Sequence, residues 1–124
     1  MILELQKRNL LKNLEPQDQQ DGFLSIEYSA AQLAQLNQDL GIVIAQEDDY
    51  LAGYLIAQTM DFALKSPLIA TMVKRFPDIH YRTRPLSGFR TFIYRPVCID
   101  KESRGQGILE GLFQRHAPVI EGAI

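Results

Sequence analysis

The sequence predicts a mixed α/β (α+β) domain, with helices packed on a central, mostly antiparallel sheet, and three observations carry that expectation. Apolar residues recur at helical spacing in four segments, two β-rich runs flank a short acidic turn, and a third β-rich run leads into a glycine turn that opens the last helix. With 124 residues, 46% of them hydrophobic and 23% charged, the chain falls among ordinary globular domains and can bury a core without disulfide or metal staples. Cys98 is its one cysteine, so no intrachain bridge can form and an oxidising compartment is not indicated.

Residues 2 to 14 are expected to form a helix, because Leu3, Leu10, Leu11 and Leu14 fall on one stripe, with Ile2 and Leu5 off it. Glu15 to Gly22 is a polar break and the expected flexible loop. The next helix has the clearest local signals. Ser29 and Gln32 are spaced as a capping box, Tyr28 and Leu33 as a hydrophobic staple, and Gly41 follows Leu40 as a stop, leaving Leu33, Leu36 and Leu40 as the buried face. The period then changes to that of strands. Ile42 to Gln46 and Tyr50 to Ala57 read as an antiparallel hairpin turning at Glu47-Asp48-Asp49.

Ser66-Pro67 reads as a helix start, with Leu68, Met72 and Phe76 as the buried stripe and Pro77 as its end. Residues 78 to 90 read as a basic loop. Thr91 to Ile99 reads as a strand with Pro96 inside it, which in a central strand requires a bulge or a splayed edge. After it come Asp100-Lys101-Glu102-Ser103-Arg104-Gly105-Gln106-Gly107, and Ile108, Leu109, Leu112 and Phe113 begin a last helical stripe that Pro118 is expected to end. No repeat or long linker divides the chain, so a single domain over residues 1 to 124 is expected.

Charge is unevenly spread. Residues 13 to 64 hold nine acids and no Lys or Arg, whereas residues 65 to 124 hold ten bases and five acids, so the second half is the one expected to meet an anion. From charge alone, a solvated basic face is the better explanation. Nucleic acid is not expected as a partner, because the chain as a whole is acidic and its aromatics do not alternate with the bases. No apolar run approaches the roughly 18 residues of a membrane span, and the N-terminus lacks the charge order of a secretory signal; a cytoplasmic protein with no membrane partner is expected.

A strand feeding a glycine turn that opens a helix is a physical recipe for holding phosphate. The first helical N–H groups have no intrahelical partner, the helix dipole is positive there, and glycine lets backbone approach an anion. Arg104 adds a fixed positive charge. The spacing is neither a P-loop nor a dinucleotide fingerprint, and the motif alone is common in tight turns. His80 and His116 lack ligand spacing and no metal site is expected.

The order helix, helix, hairpin, broken strand and Arg104-Gly105-Gln106-Gly107-Ile108-Leu109 resembles the GNAT superfamily of N-acetyltransferases. Val97-Cys98-Ile99-Asp100 matches the strand that precedes that family's phosphate turn, and Gly107 its required glycine, while Leu109 stands where the family has a small residue. The resemblance implies acetyl-CoA as donor and an amine, small or on a peptide, as acceptor. Its pyrophosphate would meet the amides of Gly105, Gln106, Gly107, Ile108 and Leu109 beside Arg104, and its pantetheine arm would run along Val97, Cys98 and Ile99. The amine attacks the thioester directly, so Cys98 reads as a packing residue, and Tyr94, Asp100 and Glu102 stand as candidate acids or bases. Against the family pattern, a first strand and the C-terminal strands are missing. The domain is therefore expected to be incomplete, with an open edge beside Val97 that would invite a second copy. A noncatalytic module that binds CoA or a partner chain is the alternative reading.

Overall fold

The computed structural model describes residues 1–21 and 24–123, so Gly22 of the expected loop lies outside the described residues. The fold is α+β, with α1 (Ile2–Asn9), α2 (Ala30–Asp39), β1 (Ile42–Glu47), β2 (Tyr50–Thr59), α3 (Met60–Ala63), α4 (Pro67–Val73), β3 (His80–Tyr81), β4 (Arg84–Pro85), β5 (Phe92–Ile99) and α5 (Ile108–Ala123) in chain order. An antiparallel three-stranded sheet has the order β1-β2-β5, and β3-β4 is a separate two-stranded ribbon. The chain divides into two compact units, Met1–Ala57 with Tyr94–Ile124, and Gln58–Ile93. No linker marks the division, which falls inside β2 and β5.

In the first unit, β2 is buried continuously from Leu51 to Ala57, as a central strand should be. β1 pairs with it from Ile42↔Ile56 to Glu47↔Tyr50, with a register shift between Ala45 and Gln46. Asp48, at φ 52, makes the tight turn between them. The α2 start is as expected: Gln32 N donates to Ser29 Oγ at 3.1 Å, and Ser29 N donates to Gln32 Oε1 at 2.9 Å. Leu33 and Leu36 are buried and Leu40 half-buried, and Gly41, at φ +84, ends the helix.

Five segments depart from the sequence expectation. The first helix stops at Asn9, five residues early. Asn9 Nδ2 donates back to Leu5 O at 2.9 Å, and Leu10 swings to extended geometry to bridge Leu24, with Leu24 N donating to Asn9 O at 2.8 Å. The helix is thereby rotated relative to the expected stripe. Leu5 is buried and Leu3 exposed, and Gln6 anchors the inner face by exchanging two hydrogen bonds with the Tyr28 backbone, at 2.9 and 2.8 Å. The polar break contains a 3-10 turn at Asp18–Asp21, and Asp18 pairs with Lys101 at 2.5 Å.

In the second unit, α4 ends at Val73, before Phe76, and buries Ile69 while exposing Leu68 and Met72. The basic segment contains the β3-β4 ribbon, turned by Arg82 and Thr83 at φ 51 and 69. Pro118 does not end α5, which continues to Ala123. A helix-interior proline costs about 3 kcal/mol when its lost hydrogen bond is not replaced. Pro118 is exposed, so water can meet the orphaned carbonyl, and Leu112, His116 and Ile120 bury one stripe across it. Pro96 lies within β5, an outer strand of the sheet, where a missing N–H is tolerated; the Arg95–Pro96 peptide is cis.

Candidate functional site

β5 and the start of α5 open a cleft of about 760 Å³ in the first unit. Val97, Cys98 and Ile99 form one wall; Arg104, Gly105, Gly107, Ile108 and Leu109 form the turn and helix end facing it. Eight of the nine residues expected to hold a CoA ligand thus share one cavity. Gln106 is exposed and does not line it. Asn9, Leu24, Ser103, Glu110 and Phe113 also line the cleft and were not among the expected site residues.

Local chemistry explains the turn. Gly105 and Gly107 lie at φ +79 and +80, a region disfavoured by any residue with a Cβ, and a Cβ built on either meets nothing within 4 Å. The first bond of α5 is Gly111 N to Gly107 O, at 3.1 Å. The N–H groups of Ile108, Leu109 and Glu110 precede that first bond and so have no intrahelical acceptor. A helix end so arranged can accept an anion. Glu110 stands in the first turn and lines the same cleft, offsetting part of the positive end.

Arg104 is fixed from two sides: its Nε donates to Ile99 O at 3.1 Å, and its Nη2 donates to Asn9 Oδ1 at 3.3 Å. Asn9 and Arg104 also line a second, more polar cleft of about 520 Å³, together with Arg8, Tyr50, Asp100 and Glu102. Two candidate acid–base residues therefore face this second cleft, away from the Val97–Ile99 wall. Asp100 is buried and accepts a hydrogen bond from the Tyr50 hydroxyl, which in turn lies 3.1 Å from Ser103 Oγ. That bond to Asp100 raises the Tyr50 pKa above its ordinary 10.0. Glu102 is exposed.

Tyr94, the third candidate, lines neither cleft. Its hydroxyl lies 3.0 Å from His116 Nδ1, and its ring meets Phe113 edge-on at 5.0 Å. His116 is fully buried, and its Nε2 lies 2.8 Å from Leu40 O. A carbonyl only accepts, so in the neutral imidazole Nε2 carries the proton and Nδ1 accepts from Tyr94. Burial raises the Tyr94 pKa, which leaves its phenolate a poor resting base at neutral pH. Sequence reasoning dismissed His116 on metal-ligand spacing; the one available signal was its place four residues after Leu112, on the buried stripe.

Cys98 is buried in the cleft wall, and desolvation pushes its thiol up to about 11. The Tyr54 hydroxyl, beneath it, has no partner at ordinary hydrogen-bond geometry, and burial raises its pKa strongly. Gly53 lets β2 approach β5 here, because a Cβ would fall 2.7 Å from Ile99 Cδ1 and 2.9 Å from Cys98 O. Among the described residues, no group of His, Cys, Asp and Glu is arranged to hold a metal ion, and no helix is long and apolar enough to cross a membrane. Compared with known protein families, curated proteins and solved structures, the chain matches none.

Proposed function

We propose that this chain binds acetyl-CoA in the β5–α5 cleft and transfers its acetyl group to an amine, in the manner of the GNAT acetyltransferases it resembles. One observation carries the reading: the wall Val97–Ile99 and the turn and helix start formed by Gly105 and Gly107 to Leu109 line one cavity, beside the fixed guanidinium of Arg104. An anionic diphosphate with an amphipathic tail fits that division of labour. The diphosphate meets amides and guanidinium, and the tail lies between aliphatic walls of β5 and α5.

The bound thioester supplies the activated acyl group. The chain's own residues grip the phosphates, line the tail's path with Val97, Ile99 and Phe113, and keep water from part of the cleft. Isothermal titration with CoA and acetyl-CoA tests the reading. A folded sample should bind both, and Arg104→Ala should weaken binding by about 1.5 to 3 kcal/mol through loss of a charged hydrogen bond. Absence of binding rejects the proposal.

A second reading, binding without turnover, is favoured by a separate observation: Asp100 and Glu102 line the polar cleft, and Tyr94 is committed to His116. Mass spectrometric screening for acetyl transfer to small amines, polyamines and peptides separates the two, since turnover on any acceptor rejects the binding-only reading.

A further inference from the structure

The unit Gln58–Ile93 carries six bases, Lys65, Lys74, Arg75, Arg82, Arg84 and Arg90, against two acids, Asp61 and Asp78. All eight side chains are exposed, and among the described residues none of the six bases forms an ion pair. The same unit exposes aliphatic side chains where a surface helix is normally polar. On α4, Ile69 is buried, while Leu68 and Met72, one turn apart, remain 62% and 43% exposed. Leu64 precedes them and Ile79 and Tyr81 follow, all exposed, and Lys74 and Arg75 come directly after the helix. In the ribbon, Arg82 packs over the Tyr81 ring at 5.3 Å, and Arg84 over Phe89 at 4.5 Å.

We infer that this unit docks peripherally on an anionic lipid surface, with Leu68 and Met72 entering the headgroup layer and the flanking bases meeting lipid phosphates and carboxylates. A helix that is apolar inward through Ile69 and outward through Leu68 and Met72 gains by burying its outer side, and unpaired bases beside it choose a negatively charged partner. Nucleic acid supplies the charge but offers little to the aliphatic side chains. A membrane supplies both, and needs no spanning segment. The inference does not rest on the acetyltransferase reading.

Sedimentation of the full chain with phosphatidylcholine vesicles, with and without about 30% phosphatidylserine, is the test. The chain should pellet with the anionic vesicles, remain in solution with the neutral ones, and be released on the order of 0.5 M NaCl. Lys74→Glu/Arg75→Glu and, separately, Leu68→Ser/Met72→Ser should each reduce partitioning at least tenfold with unchanged thermal melts, since all four side chains are exposed or solvent-facing. Equal binding to both vesicle types, or to neither, overturns the inference. So does capture by an acidic polypeptide or a nucleic acid that the charge variants abolish while vesicle binding is absent or insensitive to Leu68→Ser/Met72→Ser.

Discussion

Two clefts meet at the Asn9–Arg104 pair, and they are built in opposite ways. The β5–α5 cleft is walled largely by apolar side chains and backbone, and the open first turn of α5 ends at it. The polar cleft holds the titratable groups, yet several are already engaged: Asp100 with Tyr50, and Asp18 with Lys101. The two clefts thus differ in how far their polar groups are already engaged with one another, not only in the density of charged residues. Searching the sequence for acids and bases therefore leads to the polar cleft, and searching it for glycine at a helix start leads to the other.

The comparison breaks first if the apolar cleft depends on the buried polar group behind it. His116→Ala empties a fully buried site and removes the hydrogen bonds to Leu40 O and the Tyr94 hydroxyl, and should destabilise the fold by about 3 kcal/mol. A denaturant melt within 1 kcal/mol of the parent would show that His116 holds nothing together. Next in size, Gly53→Ala drives a methyl into Ile99 and the Cys98 carbonyl, which should cost about 2 kcal/mol and displace the β5 wall. If it binds CoA as the parent does, that wall is not part of the ligand site.

Smaller effects sharpen the contrast. Gly107→Ala meets no atom, so its cost of about 1 to 2 kcal/mol comes from φ alone, and amide exchange in the turn should rise with it. Removing the competing carboxylate with Glu110→Gln should tighten anion binding by about 0.3 to 1 kcal/mol, while Glu102→Gln in the polar cleft should leave it unchanged; titration of both separates the clefts. The alkaline limb of stability offers a further check. A thiol whose folded pKa is raised from 9.0 to about 11 contributes stability that is fully present below pH 9 and is lost as pH rises toward 11, because the unfolded chain ionises first. Melts of Cys98→Ala against the parent between pH 8 and 11 should show a constant packing offset below pH 8 that shifts in the variant's favour as the parent alone loses stability toward pH 11.

Much of this was legible in local sequence. The Ser29–Gln32 box, the Gly41 stop and the turn at Asp48 depend on groups within a few residues, where hydrogen-bonding partners are chosen by covalent spacing. The glycine turn was legible for the same reason, since φ near +80 at Gly105 and Gly107 selects its own residue type. Helix ends and buried faces were less so. Asn9 stops α1 because Leu10 finds Leu24, and Ile69 rather than Leu68 turns inward because neighbours in space, not spacing, choose which apolar residue is covered.

Local sequence was enough for the helix cap at Ser29, the hairpin of β1 and β2 and the glycine turn ahead of α5, because torsional preference and helix-end polarity act within one or two turns of chain. Only tertiary structure decided that Arg104 is held between Ile99 and an asparagine 95 residues away, that Asp100 is taken by Tyr50, and that His116 bridges Tyr94 to Leu40. All but the Arg104–Ile99 contact join groups from distant parts of the chain, where covalent spacing cannot choose the partner.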